Sequence, residues 1–257
     1  MPDHNADAGE GTTLPGPQSA SAAQRLQPVD AATAFVDCHF PLCSVALLAG
    51  SVARGHAHPR SDLDVVVLSA GEQPRWATFA ENGWPIELFV DAPETYAATF
   101  ERQVQRQWPL LPILCVEGTI LVDRNGQAQA VKDAATHVLA AGPGPLNDED
   151  KIRYRHFLTV AYDDFADADD PDEARLLGHE LATLAASCYL VSHRQWRGFG
   201  KWLLRSLRDA DPAQARAFTH ALAALDAHGE KDPLLQFVAA TLQLVGGRRF
   251  EGYGEEW

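Results

Sequence analysis

Residues 50–68 read GSVARGHAHPRSDLDVVVL, and no other stretch constrains the fold as tightly. The run DVVVL is β-branched and apolar, the pattern of a strand covered on both faces. Ahead of it, CSVALLAG is a second apolar run that closes on a glycine. A strand, a tight turn and a loop must therefore lead straight into another strand. Because residues i and i+2 of a strand share a face, Asp62 and Asp64 project side by side, with Cα atoms ~6–7 Å apart. Two carboxylates that close beside an apolar strand repel each other and resist ionisation unless a cation sits between them.

Mg²⁺ suits such a pair, because it takes one or two carboxylates and completes its shell with water and substrate phosphates. Upstream, the strand ends at Gly50 and SVARG can open a helix. The backbone N–H groups of Gly50, Ser51 and Val52 are then expected to point outward as a phosphate cradle. Arg54 adds positive charge there unless it turns away into an ion pair. A third carboxylate would complete a site for two metal ions clamping the attacking and leaving oxygens. WPIELFV supplies it: Glu87 lies mid-strand among Ile, Leu, Phe and Val, where an unpaired acid is costly to bury. From there it can ligate metal or take a proton from an acceptor hydroxyl.

The 257 residues suffice for one large or two modest domains. Residues 1–27 are rich in Gly, Pro, Ala and Ser, have no apolar run fit for a signal peptide, and are expected to be a disordered leader. From 28 to 142 helix and strand alternate. VDAATAFVDCHF, PETYAATFERQVQRQ and AQAVKDAATHVLAA have helical spacing, while CSVALLAG, LDVVVLS, PIELFV and ILCVEGTILV read as strands. AGPGPLNDED is the linker candidate, and the apolar positions of 149–250 recur at i, i+3, i+4 and i+7 over about five helices. Residues 251–257 are expected to fray. No stretch reaches the ~18 uninterrupted apolar residues of a membrane span, so a cytoplasmic protein is expected. Cys38, Cys43, Cys115 and Cys188 lack metal-ligand spacing and are expected to be buried, reduced thiols. A formal charge of −14 disfavours binding to nucleic acid or an anionic membrane and favours cationic or metal-borne partners.

Gly50-Ser51-Val52-Ala53-Arg54-Gly55, a five-residue gap and Ser61-Asp62-Leu63-Asp64-Val65 resemble the signature of minimal nucleotidyltransferases of the DNA polymerase beta superfamily. Some eight fixed positions match, which by average usage arises by chance on the order of 10⁻⁸ per start site. The resemblance covers residues from about 35 to 125, and the appended helices are similar to those of kanamycin-type aminoglycoside nucleotidyltransferases. It implies an α/β (α+β) catalytic domain with a mixed sheet at 28–142, followed by an all-α bundle at 149–250 that shapes an acceptor cleft. It also implies transfer of a nucleoside monophosphate, AMP from ATP being the expected donor chemistry, to a hydroxyl of a small molecule, with release of pyrophosphate. Carried onto this chain, Gly50, Ser51, Arg54 and Ser61 would hold the nucleotide. Asp62 and Asp64 would hold two Mg²⁺ ions, and Glu87 would take the third carboxylate position. An acid of the helical half, Asp163 or Asp164, is the alternative base. An aminoglycoside-like acceptor fits the net acidity by steering alone. Two other readings are a transferase acting on a protein side chain and a nucleotide-binding regulator without turnover.

Several features have plainer readings beside functional ones. His56 and His58 fill the motif's gap without a third ligand and read as a solvated loop. DDFADADDPDE lacks the glycine and terminal glutamate of a Ca²⁺ loop. Lys201 and Arg205 share a helical face, from which they either reach a triphosphate or snorkel at the surface. Trp84, Trp108 and Trp196 either stack on a base or sugar or fill the core.

Overall fold

The computed structural model describes residues 26–254, so residues 1–25 of the expected leader at 1–27 and the tail residues 255–257 lie outside the described residues. Five strands form one mixed sheet in the order β3-β4-β2-β1-β5. They are β1 (Val45–Ala49), β2 (Leu63–Leu68), β3 (Arg75–Glu81), β4 (Trp84–Asp91) and β5 (Thr119–Asp123). The central pair β2 and β4 runs parallel, while β1 is antiparallel to both β2 and β5 and β3 is antiparallel to β4. Alternation divides the core in two. Leu63, Val65, Val67, Ile86 and Leu88 pack with Phe35 and Val36 of α1 (Pro28–His39) on one face. Val66 and Leu68 pack with Phe100, Leu114 and Val131 on the other. That second face is covered by α3 (Tyr96–Gln105), α4 (Leu110–Glu117) and α5 (Gln127–Ala141).

Five further helices follow: α6 (Asp148–Asp167), α7 (Pro171–Ser192), α8 (Lys201–Ala210), α9 (Pro212–His228) and α10 (Asp232–Leu244). They enclose a core of their own around Leu158, Leu181, Leu190, Leu234 and Leu242. Their starts are chemically marked. The side chains of Asn147, Asp170 and Asp211 accept from amides of the first turns of α6, α7 and α9, satisfying donors a helix leaves open. Among the described residues no helix is long and apolar enough to cross a membrane.

Four expectations change. ILCVEGTILV is not one strand: residues through Glu117 belong to α4, and only Thr119–Asp123 pairs with β1. Leu111, Leu114 and Cys115 are buried on one side of that helix, and its last carbonyls are held by Lys132, whose ammonium donates to Cys115, Val116 and Gly118 at 2.6–3.0 Å. β3 was not anticipated: RWATFAE is an edge strand with no fully buried residue. Cys38 is exposed, whereas Cys43, Cys115 and Cys188 are buried, and burial pushes the Cys115 and Cys188 thiols up to about 12. The residues just before the expected tail are hydrogen-bonded, and within it Tyr253 is packed. The Arg249 amide donates to Thr159 Oγ1 at 2.9 Å, the His156 ring donates to the Phe250 carbonyl at 2.7 Å, and Tyr253 packs on Phe157 and His156.

Candidate active site

The parallel register of β2 and β4 sets Asp64 directly opposite Glu87. Neighbouring strands lie ~4.8 Å apart, so these two carboxylates leave the sheet as adjacent neighbours on one face. Asp62, one residue ahead of β2, is two positions from Asp64 and shares that face. The apolar residues alternating with them, Leu63 and Val65, are buried on the opposite face under α1. Strand alternation therefore anchors the acids as it presents them.

Asp64 also pairs with Ala49, the last residue of β1, so the turn after β1 is brought against its side chain. That turn is α2 (Gly50–Ala53), a single helical turn. Gly50 has φ +74°, and a Cβ on it would lie 1.7 Å from Asp64 Oδ2. Only glycine gives both the left-handed backbone and the approach. The motif's first glycine and second aspartate are thus one packing unit. Ser61, 8% exposed, braces the loop between them: its hydroxyl accepts from the His58 amide at 2.8 Å and from the Ser51 hydroxyl at 3.3 Å. His56 and His58 themselves are exposed.

A cavity of about 220 Å³ opens above the carboxylates. From the sheet half it is lined by Gly50, Ser51, Arg54, Asp62, Asp64 and Glu87, and α8 contributes Lys201 and Trp202. Seven charged side chains face it in all, with Glu117 and Arg197 added to those named. Six residues singled out in the sequence as nucleotide or metal ligands, and Lys201 from the far half, therefore share one space. Ser61 stands behind it. Asp163 and Asp164 do not line it; both are exposed on α6, and Asp163 pairs with Arg248. Trp108 and Trp196 line the cavity, whereas Trp84 is buried beneath α1 on the other face of the sheet. Trp202 was missed because WLLRSLR offers an apolar helical stripe in which a tryptophan reads as core.

Arg54 does turn aside, to Glu117 at the end of α4 rather than to an aspartate. Its charge still acts on the acids. Burial, then repulsion from Asp62 and Glu87, pushes the Asp64 carboxyl up to about 6, and Arg54 and Lys201 oppose that rise. A carboxylate so destabilised calls for a cation, and an all-oxygen donor set suits Mg²⁺. Among the described residues no group of three or more His, Cys, Asp or Glu side chains is drawn together closely enough to hold a metal ion. A hard ion held here would have to draw the rest of its shell from water and phosphate.

Residues 44–117 match the model of the nucleotidyltransferase domain family. The chain carries a nucleotidyltransferase domain. The matched segment runs from the residue before β1 to the end of α4 and so contains the glycine turn, all three sheet carboxylates and Glu117. The protein is accordingly a transferase of nucleotidyl groups. The solved structure of a nucleotidyltransferase-like protein from Exiguobacterium sibiricum 255-15 is similar to it at 12% identity, covering 84% of this chain and 74% of that chain with a TM-score of 0.47. No curated protein matches the chain.

Proposed function

We propose that the nucleotidyltransferase domain moves a nucleoside monophosphate, AMP from ATP, onto a hydroxyl of a small molecule in a Mg²⁺-dependent reaction that releases pyrophosphate. The observation carrying this reading is the in-register pair Asp64 and Glu87, with Asp62 beside them and the Gly50 turn packed on the Asp64 carboxylate. Asp62 and Asp64 would hold the metal, with Glu87 the third carboxylate; bound there, Mg²⁺ supplies charge neutralisation at the reacting phosphate. Gly50, Ser51 and Lys201 would hold the β- and γ-phosphates, which fixes the α-phosphorus over the carboxylate face.

The acceptor hydroxyl oxygen forms a bond to the α-phosphorus, and the bond from that phosphorus to the pyrophosphate oxygen breaks. The hydroxyl proton passes to Glu87, which faces the same cavity while Asp163 and Asp164 do not. Such chemistry asks mainly for positioning and electrostatics and needs no covalent enzyme intermediate. An acceptor of low molecular weight is supported by the cavity itself, because the helical half walls it with Trp196, Arg197, Lys201 and Trp202 and leaves about 220 Å³. A cationic acceptor such as an aminoglycoside suits the net charge of −14.

The test is pyrophosphate release from each nucleoside triphosphate with Mg²⁺ across a panel of hydroxylated antibiotics and metabolites. D62N and D64N should each retain less than about a tenth of wild-type turnover. Label from the nucleotide appearing on lysate polypeptides instead of small molecules would replace the acceptor class with protein. Turnover above that level in both variants would remove the carboxylate assignment.

A further inference from the structure

The helical half meets the phosphate turn through the first turn of α8, and that turn is tightly held. Gly198 lies so close to it that a Cβ there would meet the Trp202 carbonyl carbon and oxygen at 2.2 and 2.3 Å. Gly200, at the helix N-cap, has φ 52°. Leu203 and Leu207 bury one flank of α8 in the bundle, and Trp202 and Ser206 line the cavity from the other.

Two guanidinium groups lie over the Trp202 ring. Arg205, from the same helix, is 4.7 Å from the centroid, and Arg54, from the phosphate turn, is 5.2 Å away. Arg54 in turn donates to Glu117, which ends α4. Through Arg54 the indole thus ties α8 to the glycine turn, and the same guanidinium ties that turn to α4. With two cations over it, the ring has contacts of its own. Immediately before it stands Lys201, which lines the cavity and whose charge is felt at Asp64. A lysine carries its charge on a flexible stem, so the placement of its helix decides what the ammonium can reach.

We propose that Trp202 is a positioning residue. By holding its indole against the Arg54 guanidinium it fixes the first turn of α8 beside the phosphate turn, so that Lys201 reaches the triphosphate of the donor nucleotide. This rests on the reading that the cavity binds a Mg²⁺-complexed nucleoside triphosphate. It adds a residue that acts on the donor triphosphate through its neighbour.

The experiment is calorimetric titration of the full chain with the tightest-binding of the four Mg²⁺-complexed ribonucleoside triphosphates, and with its parent nucleoside. The variants are K201A, W202L, W202F and the double variant K201A/W202L. W202L keeps apolar bulk and removes the ring. It should weaken triphosphate binding about tenfold, the scale of one well-desolvated cation–π contact, while nucleoside binding stays within about twofold. W202F should return to within about threefold of wild type. In the K201A background W202L should cost less than about a further twofold, because both act through one contact. Equal weakening of nucleoside and triphosphate would make Trp202 a general packing residue and overturn the proposal. So would a full additional tenfold loss in the double variant, or wild-type binding by W202L. If W202L does not fold, W202M takes its place under the same criteria. If no triphosphate binds, or K201A binds like wild type, the reading of the cavity fails first and the positioning role falls with it. If K201A weakens binding but the cycle is additive, the positioning role alone fails.

Discussion

Replacing Asp64 with asparagine should make the protein inactive and more stable. The carboxyl is half-buried between Asp62 and Glu87, and it titrates at about 6 instead of 3.8. At ~1.4 kcal/mol per pH unit, that difference corresponds to a ceiling of about 3 kcal/mol of folding free energy lost when Asp64 ionises. Partial solvent access screens some of it, leaving about 2 kcal/mol. The sign follows from proton binding. Between pH 3.8 and about 6 the folded state holds a proton that the unfolded state has released, so wild-type stability falls as pH rises through that window and stays lowered above it.

Asparagine keeps the shape and removes the charge, so the penalty disappears. In thermal melts without divalent metal, D64N should unfold about 4–8 °C above wild type at pH 7.5, taking ~2–4 °C per kcal/mol for a chain of this size. At pH 4 the two curves should nearly coincide, since Asp64 is then protonated in the folded wild type. Adding millimolar Mg²⁺ at pH 7.5 should raise the wild-type midpoint and leave that of D64N almost unmoved, because only the former gains a ligand for its folded state. A D64N midpoint at or below wild type at pH 7.5, or a gain of the same size at pH 4, would refute the claim that this acid is held against its own repulsion.

Other substitutions probe the scaffold. G50A forces a Cβ to 1.7 Å from Asp64 Oδ2 at φ +74°, so turnover should fall by at least about tenfold and stability by about 2 kcal/mol, read from kinetics and denaturant melts. K132M leaves three carbonyls at the end of α4 without their shared donor and should cost about 2 kcal/mol, visible as a lower urea midpoint with little change in slope. G178A would drive a methyl to 2.3 Å from Leu225 Cδ2 and 2.9 Å from Phe165 Cε2, and should destabilise the helical core by about 1–3 kcal/mol. Native protein treated with a thiol reagent should react quickly at Cys38 alone, with Cys43, Cys115 and Cys188 following only on unfolding, as mass spectrometry of the modified peptides would show.

What the sequence made legible follows the range of the forces involved. Strand alternation acts over two residues, so the pairing of Asp62 with Asp64 and the burial of the valines between the faces could be read directly. Capping acts over three, which is why the starts of α7 and α9 were marked by their Asp-Pro pairs. The choice of Glu87 needed more, a register between two strands separated by β3, and there the motif's family resemblance carried what local pattern could not. α4 was misread because LLPILCV is apolar throughout, and periodicity cannot separate a buried helix from a buried strand in so short a run. Its helical form depends on support from outside the run, namely Lys132, fourteen residues beyond Gly118, and packing against β1 and β2.

The contact of Arg54 with Trp202 was the least legible feature, and the reason is physical. A cation–π contact has no spacing rule: Arg54 and Trp202 lie in different halves of the chain and meet only once the bundle has docked. Arg54 and Glu117 also lack a local spacing, although both belong to the sheet half and meet where α4 packs beside the glycine turn. Read in isolation, Arg54 looked like a phosphate ligand with one alternative, an ion pair with an aspartate. In the fold it lines the cavity, pairs with a glutamate and lies over an indole, so a single side chain links the phosphate turn to both walls of the cleft. A conservative exchange to lysine would keep the charge near Asp64 and lose the planar group that lies over the ring. R54K should therefore leave the Asp64-dependent pH profile of stability close to wild type while weakening nucleoside triphosphate binding to the level of W202L. If R54K instead bound triphosphate like wild type, the charge alone would suffice and the flat guanidinium would have no part in holding α8.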